Sequence, residues 1–380
     1  MIKRILYTLL IMFPVVASAQ INTDRVMAIG RNALYFEDYV LSIQYFNQVI
    51  NAKPYLSDPY FYRGLAKINL DDFQGAESDC SEAIERNPFV VSAYQVRGLA
   101  RIQQNNFAGA IEDYTKALEF DPENIGVWHN MALCRIRQED YKGAKNDLDK
   151  LIAISPRYTK AYLMRGEVDL KQKDTLAAEK DFGKAIEIDR YDADTWASRA
   201  ILRLQQQRYK DAEADFDHAI RLSTRNSGVY INRALARYHQ NNLRGAMSDY
   251  DIALDIDPNN FIGHYNRGLL RAQVGDDNRA IQDFNFVIEM EPDNMMAIFN
   301  RGLLLDQTGD YKGAIKDYST VINEYPNFLL GYQYRAQARR KIGDVKGADA
   351  DEFKVLKAQL DKQNGVDPNK QTADNTENNK

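Results

Sequence analysis

One spacing constrains this chain more than any other property: near-identical segments recur every 34 residues. Asn232-Arg233-Ala234-Leu235, Asn266-Arg267-Gly268-Leu269 and Asn300-Arg301-Gly302-Leu303 stand 34 apart. Each is followed at the same distance by an alanine (Ala246, Ala280, Ala314) and an Asp-aromatic pair (Asp249-Tyr250, Asp283-Phe284, Asp317-Tyr318). A period of this length is that of a helix-turn-helix unit too small to bury its own apolar face. Such units must stack on one another. Prolines extend the register, with Pro54, Pro88, Pro122, Pro156, Pro258, Pro292 and Pro326 all in phase and Arg190 and Thr224 in the two skipped slots. Ten units result, starting at 23, 57, 91, 125, 159, 193, 227, 261, 295 and 329.

Apolar positions inside a unit follow helical spacing. On the first expected helix, position 4 is usually a large ring (Tyr94, Trp128, Tyr162, Trp196, Tyr230) and position 8 is always Gly or Ala. On the second, position 20 is Ala in nine units and position 24 is mostly aromatic. Small residues at 8 and 20 let paired helices approach closely, with the rings filling the gaps beside them. A proline at position 32 cannot sit in a helix interior and marks the turn between units.

These residues (ring at 4, small residue at 8, Ala at 20, aromatic at 24, Pro at 32) make the chain resemble a tetratricopeptide repeat array over about 340 of its 380 residues. The resemblance implies an all-α, right-handed superhelical solenoid of a family that hosts adaptors, chaperone partners and assembly factors, so protein or peptide ligands and no cofactor are expected. Unit one departs from its siblings (Ile29, Tyr45), and unit ten places Glu352 at position 24. Both are expected of end units that lack a neighbour.

Residues 1–19 read differently. Lys3 and Arg4 precede an apolar run from Ile5 to Val16 and then Ala17-Ser18-Ala19, the pattern of a secretory signal. That run is too short to span a bilayer. No cysteine adjoins the expected cleavage point, so a soluble periplasmic or secreted protein is expected, without lipid anchor. The array is expected over 20–362. The polar stretch 363–380 lacks the apolar content to fold and is expected to be a disordered tail. Cys80 and Cys134 fall in non-adjacent units and are expected to be free, buried thiols.

Charge and chemistry narrow the function classes. With 49 basic and 54 acidic residues interspersed, the chain has no basic stripe for nucleic acid. His129, His218, His239 and His264 are scattered, with no metal-ligand spacing, and no phosphate loop follows a strand. The chain is therefore read as a non-enzyme.

The most regular charged pattern is Arg at position 7 in eight units and Asp at position 23 in nine; unit four has Met131 instead of Arg. Their joint recurrence predicts an ion-pair network, within a unit or across to its neighbour. The alternative is an arginine ladder gripping an acidic ligand.

Positions 2, 6, 9 and 13 share a stripe on the first helix. Position 6 is Asn130, Asn232, Asn266 and Asn300, the last three in consecutive units. An amide both donates and accepts, so it can pair with an extended backbone whatever its sequence. Asparagines at this position hold peptides in the repeat array of O-linked N-acetylglucosamine transferases, and the resemblance implies that role for these residues. Tyr265 and Phe299 at position 5 are candidate pocket walls, and His239, Gln273 and Gln307 at position 13 candidate polar contacts. Position-9 leucines (Leu235, Leu269, Leu303) are expected to pack between helices. The carboxylate clamp of heat-shock-binding repeats is missing: its slots hold Met27, Arg31, Tyr62, Ser92 and Val96. The expected function is a peptide-binding scaffold of the cell envelope. The alternative is a structural subunit of an envelope or secretion assembly, using convex or end surfaces.

Overall fold

The computed structural model describes residues 22–363, so the expected signal (1–19) and the expected tail beyond Gln363 lie outside the described residues. Among the described residues there are twenty helices and no strand, paired as ten hairpins. In the seventh unit the helices are Ser227–His239 and Leu243–Ile256. The first helix starts at position 1 of every unit except the second, where it starts at Asp58. The chain divides into two compact bodies between Ile188 and Asp189. Repeats one to five make up the first body and six to ten the second.

Each hairpin turns at position 15, where the backbone enters the left-handed region. Gly275, Gly309 and Gly343 do so without steric cost, whereas Glu37, Asp71, Asn105, Glu139, Lys173, Gln207 and Asn241 adopt the same conformation with a Cβ. In every unit but the sixth and eighth the next residue caps the second helix: Asp140 accepts from the Gly143 N–H at 3.0 Å, and Asn242 from that of Gly245 at 3.0 Å.

Inside the hairpin the small residues act as the spacing predicts. Position-20 alanines from Ala76 to Ala348 are fully buried. At position 8, a Cβ on Gly98 would lie 2.7 Å from the Tyr114 ring, and one on Gly166 2.6 Å from Phe182. Three of the position-4 rings use a polar tip to bond back to the preceding unit. Trp128 Nε1 donates to the Pro122 carbonyl at 2.8 Å, Tyr162 to Pro156 at 3.1 Å, and Trp196 Nε1 to Arg190 at 3.0 Å. The proline's slot thus ends one unit and its carbonyl orients the next.

The Arg–Asp pattern is an internal lock. Arg233 Nε and Nη2 lie 2.9 and 2.6 Å from the two oxygens of Asp249, which is 1% exposed. The same forked pair forms in all eight units that carry both residues. Spacing left open whether the pair lies within a unit or across units. The pair is within the unit, and Nη1 makes the crossing in every locked unit but the sixth, where position 25 of the preceding unit is Gly183. Nη1 reaches position 25 of the preceding unit, as in Arg97 to Ser81 (3.0 Å), Arg233 to Asp217 (2.7 Å) and Arg335 to Ser319 (2.9 Å). One guanidinium therefore closes its own hairpin and fastens it to the one before. A second cation at position 11 shares most of the buried carboxylates, for example Arg237 on Asp249 at 2.8 Å.

Two units vary the theme. In unit four, Arg135 alone holds Asp147 (2.7 Å), and burial pushes that carboxyl up to about 6. In unit five, position 11 is Asp169, buried and met by Lys145 of unit four at 2.5 Å. Elsewhere this inter-unit pair has the opposite sense: Arg101 to Glu77 (2.8 Å) and Arg237 to Glu213 (2.7 Å). Cys80 and Cys134 are free and buried, their thiols pushed up by burial to about 12 and about 11. Glu352 is exposed on the last helix, paired with Arg340 at 2.6 Å.

Candidate functional site

The four position-6 asparagines are half-buried. Asn130 lies in the first body; Asn232, Asn266 and Asn300 occupy equivalent places in the second. They differ in what their amides do. Asn300 Nδ2 donates to the Tyr265 hydroxyl of the preceding unit at 3.1 Å, so two expected ligand contacts are joined to each other. Burial pushes the Tyr265 phenol up, and the Asn300 bond partly opposes that rise. The side chains of Asn232 and Asn266 have no hydrogen-bond partner among the described residues.

The other expected contacts scatter. Phe299 packs with Tyr318, Phe328 and Tyr334 at centroid distances of 5.7, 5.1 and 5.8 Å. Tyr265 meets Phe284 edge-on at 5.8 Å. His239 is exposed and stacks on Tyr209 of the preceding unit at 4.6 Å. Gln273 and Gln307 are exposed at the ends of their helices. Leu269 also stays at the surface, while Leu303 packs against the core around Tyr318.

A cavity of about 230 Å³ opens beside Asn300. Met295, Met296, Phe299, Val321, Tyr325 and Phe328 line it together with Asn300. Asn300 supplies the sole polar side chain of the lining apart from the Tyr325 hydroxyl. Sequence reasoning marked Phe299 and Asn300 but missed Met295, Met296, Tyr325 and Phe328. Their signal was a break in the repeat: position 31 is polar or charged in units one to eight and becomes Tyr325 in unit nine.

Among the described residues, no group of three or more His, Cys, Asp or Glu side chains is placed to hold a metal ion. No described helix is long and apolar enough to cross a membrane. His264 is used structurally, with Nδ1 2.9 Å from Asp283 and Nε2 3.0 Å from the Pro258 carbonyl.

Comparison with known families resolves the repeat type. Models described as TPR repeat or tetratricopeptide repeat match residues 98–134, 125–158, 159–192, 198–261 and 265–327. Together these stretches exceed half of the chain. The chain belongs to the tetratricopeptide repeat family. A tetratricopeptide repeat protein from Parabacteroides merdae shares the fold at 21% identity and a TM-score of 0.51, covering 66% of this chain and 98% of that one. The C-terminal part of a TPR repeat-containing protein from Cytophaga hutchinsonii does so at 17% identity and a TM-score of 0.52, covering 62% of this chain and 97% of that one. At such identities the likeness is one of fold. No curated protein matches the chain. Tetratricopeptide repeats generally serve as protein-interaction scaffolds, and here the scaffold's arginines are internal fastenings rather than ligand contacts.

Proposed function

We propose that this protein is an exported scaffold of the cell envelope that holds an extended polypeptide on the first-helix face of units seven to nine. One observation carries the reading: Asn232 and Asn266 present side-chain amides at the same position of consecutive units, with no hydrogen-bond partner among the described residues. A free amide can accept from a backbone N–H and donate to a backbone C=O, and a row of them at a fixed interval suits a strand-like ligand of any sequence. The flanking arginines are already saturated by carboxylates and are not available for an acidic ligand.

The test is selection of peptides from a random library on the full chain, followed by affinity measurement on Asn232→Ala with Asn266→Ala. Loss of binding with helicity retained supports the reading. Failure to select peptides, or unchanged affinity in the variant, overturns it. A structural subunit engaged through an end surface is favoured by a different observation, the exposed row Phe353, Leu356 and Leu360 on the last helix. In that case the partner's binding is indifferent to the asparagines and sensitive to Phe353→Ser.

A further inference from the structure

Position 2 of the repeat changes character along the chain. It is polar, charged or glycine in units one to seven, ending with Asp194 and Gly228, and becomes Ile262, Met296 and Leu330 in units eight to ten. These three side chains are 51%, 68% and 50% exposed. Apolar side chains left in water at three consecutive equivalent positions contribute little to the fold.

The loop after unit nine departs as well. Asn226, Asn260 and Asn294 close units six to eight, and each accepts from the helix that follows, Asn294 from the Ala297 N–H at 3.0 Å. In unit nine that slot holds Phe328, which offers no side-chain cap. Losing such a cap costs about 1 kcal/mol of helix stability. The ring that replaces it lines the cavity beside Asn300. Tyr325, 55% exposed, lines it too.

The sequence segments that supply the lining carry charge of one sign. Glu289, Asp293 and Glu324 are exposed and Glu291 is half-buried, and none has an ion-pair partner among the described residues. Segments 289–300 and 323–334 contain no Lys or Arg. Asp293 lies beside the cavity, its carbonyl accepting from the Met295 N–H at 2.8 Å, and Glu324 adjoins Tyr325. The absence of any Lys or Arg in these two segments leaves their carboxylates unbalanced along the sequence that lines the cavity.

At about 230 Å³ the cavity is smaller than sites for cofactors or drug-sized molecules, which begin at roughly 300 Å³. It fits one side chain. We propose that it takes a large apolar side chain, aromatic or branched aliphatic, from a basic polypeptide segment whose flanking Lys or Arg residues meet the acidic edge. The proposal rests on the reading that this face binds a polypeptide, and it names the chemistry of that polypeptide. Desolvated apolar anchors supply most of the affinity of such contacts, and the charges supply steering and selectivity.

The experiment uses the full chain and three labelled peptides of about twelve residues: Phe flanked by Lys and Arg, Ala in the same basic frame, and Phe flanked by Glu. Fluorescence anisotropy should show the basic Phe peptide binding about tenfold or more tighter than either control, and weakening as salt is raised. Met296→Ser and Tyr325→Ser alter exposed side chains and should remove that preference without loss of helicity. Replacing Glu289, Asp293 and Glu324 by Lys should shift it toward the Glu-flanked peptide.

Equal binding of the three peptides, or indifference to these variants, overturns the proposal. So does competition from residues 364–380 relieved by their deletion, or concentration-dependent self-association that fills the cavity with a second copy. The two readings fail separately. If library peptides that are neither basic nor apolar bind and depend on Asn232 and Asn266, the cavity assignment alone falls. If Met296→Ser weakens the basic Phe peptide while the asparagine variants do not, the asparagine reading falls and the cavity stands.

Discussion

Unit four contains a vacancy whose filling has a calculable effect. Met131 occupies the slot that holds arginine in eight siblings, yet both acceptors of that arginine are in place: Asp147 at position 23 and Thr115 at position 25 of the preceding unit. With Arg135 as its one ion-pair partner among the described residues, Asp147 is raised by burial from 3.8 to about 6. The folded state thus binds a proton more tightly than the unfolded chain. Below pH 4 the carboxyl is neutral in both states and exerts no penalty. The penalty grows between pH 4 and 6 and is complete above it. At 1.36 kcal/mol per pH unit it is roughly 3 kcal/mol.

Met131→Arg supplies the forked partner and should bring Asp147 back down toward its unfolded value. Some of the burial energy of the Met131 side chain, itself about 1.5–3 kcal/mol, is lost in exchange. The net expectation is a gain of about 1–2 kcal/mol at pH 7 that vanishes or reverses near pH 4. Arrays of this kind unfold in segments, so the signal must be local. Trp128 lies in unit four, and Trp196→Phe removes the one other tryptophan. Urea denaturation followed by Trp128 fluorescence at pH 7 and pH 4.5, with carbon-detected titration of Asp147, reads both quantities. The reasoning is refuted if Asp147 titrates near 4 in the parent, or still near 6 in the variant. A variant less stable than the parent at pH 7 would also refute it.

Further expectations follow from the same contacts. Arg267→Met leaves the buried Asp283 with Arg271 and His264 and should cost about 3 kcal/mol in denaturation, toward the low end for a broken buried pair. Lys145→Glu sets a like charge against Asp169 and should cost a few kcal/mol, about 2–4. Adding Asp169→Arg recreates the Glu77–Arg101 arrangement and should recover most of the loss in a double-mutant cycle. At the hairpin turn, a Cβ on Gly309 meets nothing within 4 Å, so Gly309→Ala isolates the backbone cost, about 1 kcal/mol. Glu139→Gly at the equivalent turn should stabilise by a similar amount.

Much of this architecture is legible in the sequence because a repeat repeats its physics. Tyr94, Gly98, Ala110 and Pro122 recur in phase, and each does in the structure what its spacing predicts. The Arg–Asp lock was visible for the same reason, though spacing could not tell pairing within a hairpin from pairing between hairpins. Its crossing arm was not visible. The position-25 acceptor is Asn47, Ser81, Asp149 or Asp217 in different units, a set united by oxygen atoms and not by residue type. The left-handed turn at position 15 is taken by Gly275, Gly309 and Gly343 but equally by Glu139 and Lys173, so no residue type marks it along the repeat. For the candidate site the logic inverts. Asn232 and Asn266 were found because they recur, whereas Met296, Tyr325 and Phe328 matter because they break the pattern. Asn300 was grouped with its siblings, and only coordinates reveal that its amide is tied to Tyr265.

The central claim is that Asn232 and Asn266 hold a polypeptide backbone. Its most direct test is the pair of side-chain amide resonances of these residues, observed by NMR while a selected peptide is titrated into the full chain. The account predicts that both move on binding, and that Asn232→Ala with Asn266→Ala weakens the peptide about tenfold or more with the helical spectrum intact. Resonances that stay fixed at saturation, with affinity unchanged in the double variant, would contradict it.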